Sequence, residues 1–170
     1  MPDRLAYLLR HAKSSRDDPE LPDHERPLNP RGLKAAKRVA EHMRRSGVAP
    51  ALILCSSARR AQETAAPIQR MLGSRAKIKV EDGLYAASAA QLLERLRRVA
   101  DSVPSVMVIG HNPGIQELAV QLIADQETKV RLAARFPTAA LATLDVGALR
   151  WRQLKPGSVE LVAFTTPRGA

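Results

Sequence analysis

Two histidines, His11 and His111, and three arginines, Arg10, Arg59 and Arg60, stand directly behind short apolar runs of the sequence. Leu5–Leu9 ends in Arg10-His11, Ala51–Cys55 leads through Ser56-Ser57 to Arg59-Arg60, and Val106–Ile109 ends in Gly110-His111-Asn112. A neutral imidazole is a nucleophile or a general base near neutral pH, and a guanidinium matches phosphate oxygens through paired hydrogen bonds. Singly, each has a plainer reading: a histidine at a strand end most often packs, and an arginine is most often a solvated surface charge. Recurrence at equivalent strand ends favours one shared pocket, which two imidazoles and two or more guanidiniums would make costly without a bound anion. His24, in a polar stretch, and His42, beside Arg44 and Arg45, have no such company and are assigned to the surface.

Short unbroken apolar runs suit strands buried on both faces, and ligands of open α/β sheets collect at the carboxyl ends of such strands. Strands are expected at Leu5–Leu9, Ala51–Cys55, Ile78–Val80, Val106–Ile109, Leu141–Leu144, Arg150–Leu154 and Glu160–Phe164, the last two joined by Pro156-Gly157. Asn29-Pro30, then Arg31–Ser46 and Gly47, read as cap, first helical residue, helix and stop, with Leu33, Ala36, Ala40 and Met43 on one side. A helix from about Ala58 to Leu72 stops at Gly73. Ser88 and Gln91 form a capping-box pattern before Leu92, Leu93, Leu96 and Val99. Asn112 as N-cap with Pro113 in the first turn opens a helix to about Ile123. Ala12–Leu28 reads as a long functional loop, and Ala124–Thr138 gives no clear period. Alternating strands and helices predict an α/β fold, with a central, mostly parallel sheet and helices on both faces, in one domain spanning residues 1–170.

Composition narrows the function classes. With 45% hydrophobic and 26% charged residues the chain reads as globular, and its net charge of +10 favours anionic partners. A lone cysteine, Cys55, excludes an internal disulfide and fits a cytoplasmic protein, and the absence of a long apolar run argues against a membrane. Cys55 and Arg60 have four residues between them, one short of the five that a cysteine-dependent phosphatase loop needs. There is no nucleotide-binding Gly-Lys loop and no serine-hydrolase elbow. No carboxylate stands with His11 and His111 as a metal ligand, so neither metal nor cofactor is expected. Nucleic-acid binding is disfavoured because aromatics are only 3% of the chain and the basic residues are scattered.

The motifs carry a resemblance. Leu8-Leu9-Arg10-His11-Ala12 resembles the Arg-His-Gly signature of the histidine phosphatase superfamily, with alanine for glycine. Ser56-Ser57-Ala58-Arg59-Arg60-Ala61-Gln62-Glu63-Thr64 is similar to its second motif, and Val108-Ile109-Gly110-His111-Asn112 resembles its third. The short chain and the Arg-His-Ala-Lys-Ser wording point to the SixA-type phosphohistidine phosphatase branch.

That resemblance implies a three-layer α/β/α, phosphoglycerate mutase-like fold. It implies His11 as the nucleophile that is transiently phosphorylated, Arg10 and Arg60 as phosphate clamps, Arg26 as a third, substrate-binding clamp, and His111 as a donor to a phosphoryl oxygen. Arg59 is the nearest competitor to Arg60. Wider members place a general acid after the third strand, at a position that falls near Ala86, leaving Glu81 or Asp82 as acids only if the loop folds back. A missing acid typically costs about 10²–10⁴ in rate on a poor leaving group, which favours protein phosphohistidine over alkyl phosphates. A small phosphorylated metabolite is the alternative substrate, ahead of a non-catalytic phosphoprotein- or nucleic-acid-binding module.

Overall fold

The computed structural model describes residues 3–168. Six strands, β1 (Arg4–Arg10), β2 (Leu52–Ser56), β3 (Lys77–Glu81), β4 (Ser105–Gly110), β5 (Leu141–Gly147) and β6 (Glu160–Thr165), form one sheet in the order β3-β2-β4-β1-β5-β6. The pairs β3-β2, β2-β4 and β4-β1 are parallel, and β5 runs antiparallel to both β1 and β6. The sheet is thus mostly parallel, as its apolar central strands require.

Alternate residues of those strands feed two cores. Ala6, Leu8, Leu54, Val106 and Val108 face α3 (Ala89–Arg97), α4 (Gly114–Leu122) and α5 (Gln126–Ala134). Tyr7, Leu9, Ile53, Met107 and Ile109 face α1 (Pro30–Ser46) and α2 (Arg59–Leu72). The result is three layers, with two helices on one face and three on the other. No helix among the described residues is long and apolar enough to cross a membrane.

Local chemistry sets the helix ends. The Asn29 side chain accepts from the Gly32 amide at 2.8 Å, and Gly47 closes α1 in the left-handed region at φ 69°. Ser88 and Gln91 make the reciprocal capping box of α3. The buried stripe of α1 is Gly32, Ala36, Val39, Ala40 and Met43, whereas Leu33 is 47% exposed. Gly32 takes the inner position because a Cβ there would lie 2.1 Å from the Lys13 carbonyl oxygen, so α1 packs directly on the backbone that follows His11.

Two expectations are corrected, and the stretch without a clear period gains a helix. Arg150–Leu154 is no strand: Trp151–Gln153 is a 3-10 turn, with Trp151 fully buried and its indole N–H donated to the Val103 carbonyl at 2.8 Å. Pro156-Gly157 therefore turns the chain into β6 without joining two strands. Residues 126–134 form α5, capped by Asp125, whose side chain accepts from the Thr128 amide. Asn112 is not the N-cap of α4, since the helix starts at Gly114 with Pro113 in that position, after a cis Asn112-Pro113 peptide. Asn112 Oδ1 instead accepts the Gln116 amide at 3.3 Å.

Candidate active site

Strand register brings the sequence-distant histidines together. Arg10 pairs with Gly110 across β1 and β4, so His11 and His111 leave adjacent strands side by side, and the His11 amide donates to the Gly110 carbonyl. Cys55 pairs with Ile109, which sets Ser56 beside them on β2. The two imidazoles lie with centroids 5.0 Å apart and are 8% and 7% exposed. Two of the three strand ends singled out in the sequence thus present imidazoles to each other, and the third supplies Ser56 and leads into α2.

His11 Nδ1 lies 2.6 Å from the Ala12 carbonyl oxygen. A carbonyl only accepts, so Nδ1 carries the proton and Nε2 keeps the free lone pair. Burial, above all, lowers its pKa to about 4, with Arg60, Arg10 and Arg26 adding to the effect against the Ala12 hydrogen bond. The arginines expected to keep this ring neutral do so, but as the smaller cause.

His111 is pushed down to about 3, chiefly by burial and then by His11 and Arg60. Arg60 Nη2 is 3.4 Å from its Nδ1 and can only donate. His111 Nε2 then donates to Ser56 Oγ at 2.7 Å. In this arrangement both His111 nitrogens are engaged within the protein.

Arg60, 7% exposed on the first turn of α2, donates to the Asp23 carbonyl at 2.7 Å and to Asp23 Oδ2 at 3.0 Å. Its neighbour Arg59 points outward to Glu63. Arg26 donates to Asp23 Oδ1 at 2.7 Å, to the Ser15 carbonyl and to Ser14 Oγ. Arg10 donates to the Phe136 carbonyl at 3.0 Å. Backbone carbonyls thus hold three guanidiniums around the imidazoles.

Asp23 was not foreseen. Tyr85 first, then Arg26 and Arg60, hold its carboxylate far below the usual range, and Tyr85 Oη donates to Oδ2 at 2.6 Å. The anion that the clustered cations require is therefore built into the loop. It lies in the 3-10 turn Asp23–Glu25, within the Ala12–Leu28 stretch that gave no period. His24 is also corrected from its surface role: it bonds Ser57 Oγ at 2.8 Å and packs edge-on against Tyr85. His42 stays on α1, near Thr165 Oγ1 at 3.3 Å.

Neither candidate acid is presented as one. Arg95 grips Glu81 through two hydrogen bonds of 2.8 and 2.9 Å and lowers its pKa, while Asp82 sits exposed in the turn Asp82–Leu84. Ala86, at φ 54°, carries no acid to the site. Burial raises the Cys55 thiol to about 12, which leaves it an inert core residue. Among the described residues no three His, Cys, Asp or Glu side chains converge as metal ligands would.

The depressed imidazoles set a pH signature. The unfolded rings take up protons near 6.5, the folded ones only near 4 and 3, so these rings make the unfolded chain bind more protons between those values. Their contribution to stability is complete above about pH 6.5 and is lost as the pH falls toward 4 for His11 and toward 3 for His111. In an NMR titration both rings should remain neutral at pH 5, and protonation of either near 6.5 would contradict this electrostatic account.

Residues 6–104 match the model of the histidine phosphatase superfamily (branch 1). The chain is 35% identical over 164 residues to the uncharacterized protein Rv1276c of Mycobacterium tuberculosis, covering 94% of this chain and 100% of that one. A structure from Agrobacterium tumefaciens, provisionally named phosphohistidine phosphatase SixA, superimposes at TM-score 0.84 with 30% identity over 98% of this chain and 99% of that one. One from Nakamurella multipartitia, named in the same provisional way, gives 0.84 and 25% over 98% of each. The chain belongs to the histidine phosphatase superfamily (branch 1) and resembles its SixA-type members.

Proposed function

We propose that residues 1–170 form one catalytic domain that removes the phosphoryl group from protein phosphohistidine through a covalent intermediate on His11. The observation that carries this reading is the His11 imidazole, neutral, buried and fixed by the Ala12 carbonyl in the tautomer that leaves Nε2 free. Nε2 attacks phosphorus in line as the bond from phosphorus to the substrate nitrogen breaks. Arg10, Arg60 and Arg26 oppose the charge on the phosphoryl oxygens, with the oxygens taking over contacts that Asp23 makes to Arg60 and Arg26. With Arg60 drawn to the phosphoryl group, the Ser56 hydroxyl donates to His111 Nε2, and the proton on Nδ1 serves a phosphoryl oxygen.

Phosphorylated His11 is a cation-like ring, phosphoryl on Nε2 and proton on Nδ1, and the Ala12 carbonyl stabilises it. Water then attacks phosphorus, the ring leaves neutral with its Nδ1 proton retained, and the water's proton goes to phosphate or solvent. No carboxylic acid enters either step. A phosphohistidine protonated on its other ring nitrogen likewise departs as neutral imidazole, whereas an alkoxide needs a proton that Glu81, held by Arg95, and the ionised Asp23 do not give.

This leaving-group logic predicts that kcat/KM on a phosphohistidine peptide exceeds that on an alkyl phosphoester by about 10²-fold or more. Phosphate release from the two substrates under identical conditions measures it. Comparable rates, or a faster alkyl ester, would move the assignment to a small-molecule phosphomonoesterase.

A further inference from the structure

A basic concavity of about 440 Å³ lies against the strand end that carries His11. Lys13, Arg31, Lys34, Arg38, Arg135 and Arg168 line it, and its lining holds neither an acid nor an aromatic ring. Arg31, Lys34 and Arg38 form one exposed stripe along α1, at spacings of three and four.

Both walls are tied to the catalytic backbone. Lys13 follows His11 by two residues, and its carbonyl accepts the Asn29 amide at the start of α1. The Ala139 amide, four residues after Arg135, is shared by the Arg10 and His11 carbonyls at 3.0 and 3.1 Å. An extended chain covers at most about 3.5 Å per residue, so the Lys13 Cα, on the lining of the concavity, lies within about 7 Å of the His11 Cα.

These cations differ in kind from those of the phosphate pocket. Arg10, Arg26 and Arg60 are pinned by backbone carbonyls. Among the described residues, none of the six around the concavity makes a side-chain hydrogen bond or an ion pair. Like charges held together on an open surface, with no internal counter-anion, attract an external one.

We propose that this concavity is a second anion subsite, taking acidic side chains that flank the phosphorylated residue of a protein substrate. The proposal rests on the phosphatase reading above and names the substrate class of the same site. Three features select the occupant. Unpinned lysines and arginines suit several carboxylates on a flexible chain better than one rigid phosphate, which pinned guanidiniums bind bidentately. The lining has no aromatic side chain to stack a base, which disfavours a nucleotide or RNA. Lys13, two residues after His11 and part of the lining, puts the concavity within reach of side chains close in sequence to the phosphorylated residue.

The test compares three substrates: a phosphohistidine peptide with aspartates within four residues on each side, the same peptide with asparagines there, and free phosphoramidate. Wild type should favour the acidic over the neutral peptide by about tenfold in kcat/KM at low salt, mainly through KM, and the preference should shrink as salt screens it. The double variant Lys34→Glu/Arg38→Glu, both on exposed turns of α1, should lose that preference and turn over phosphoramidate within about twofold of wild type. Equal rates on the two peptides in wild type, or an undiminished preference in the variant, overturn the subsite.

Should wild type hydrolyse none of the three, the phosphatase reading fails, and the subsite is then read by fluorescence anisotropy of the unphosphorylated acidic peptide. Binding at least about tenfold weaker in the double variant sustains it, and equal binding overturns it. A mixed-sequence RNA of equal charge that binds more tightly than the peptide overturns the choice of occupant.

Discussion

Replacing His11 by alanine should abolish phosphoryl transfer, with kcat/KM falling by about 10⁴-fold or more on every substrate that wild type accepts. The expected size follows from the role. The proposed covalent route divides one difficult displacement into two, and without Nε2 it would leave only direct attack by water. In the proposed roles the arginines would still bind phosphate in that variant, so KM should change far less than kcat. His11 directly follows a central strand, and the hydrogen bond from its amide to the Gly110 carbonyl belongs to the backbone, so the far-ultraviolet circular dichroism should match wild type. A variant retaining activity within about tenfold of wild type would remove His11 from the chemistry.

Arg60→Ala should cost about 10²–10³ in kcat, the usual loss for one preorganised donor to a transition-state oxygen. Burial makes this arginine worth more than a surface one, because its two bonds to Asp23 aim the guanidinium beside His111 and water does not screen it. Arg60→Lys should recover little, since an ammonium on a flexible stem cannot reproduce the fork. Arg59→Ala is the matched control: that side chain is exposed and pairs with Glu63 one turn along α2, and its loss should leave steady-state rates within about twofold. A larger loss in Arg59→Ala than in Arg60→Ala would reverse the assignment of the clamp.

The parts of the fold legible in the sequence are those with a local physical cause. Buried central strands are unbroken apolar runs, and α1 announces itself through Asn29, Pro30 and Gly47. Elements with a weak periodic signature escaped: α5 buries only Leu132, although Asp125 three residues before Thr128 is a capping signal that marks its start. Trp151 and Leu154 are both buried and stand three apart, a spacing of tight turns and not of strands, which identifies the 3-10 turn misread as β. Leu33 was misplaced because apolarity alone sets the helix phase in a sequence reading. Here the close approach of the Lys13 backbone gives the inner position to Gly32.

The candidate site divides along the same line. Arg10, His11, Arg60 and His111 sit at or just beyond strand ends, so their placement makes them candidates; the family resemblance favours Arg60 over Arg59, and parallel pairing of β2, β4 and β1 brings these strand ends together. Asp23, His24 and Tyr85 reach the site from irregular loops whose positions depend on partners 33 to 62 residues away. No local pattern encodes those meetings. The clustered cations led to the expectation of a bound anion, whereas the loop also supplies one from within the chain, Asp23.

The most direct test of the central claim is to trap the intermediate. A phosphorus-32-labelled phosphohistidine peptide, mixed with enzyme and quenched into alkali within milliseconds, should transfer label to the protein in a form that is stable to base and labile to acid. Peptide mapping should then place the label on His11. Label on His111, or on a side chain other than histidine, would contradict the assignment of the nucleophile, and phosphate release with no labelled protein at any quench time would contradict the covalent route itself.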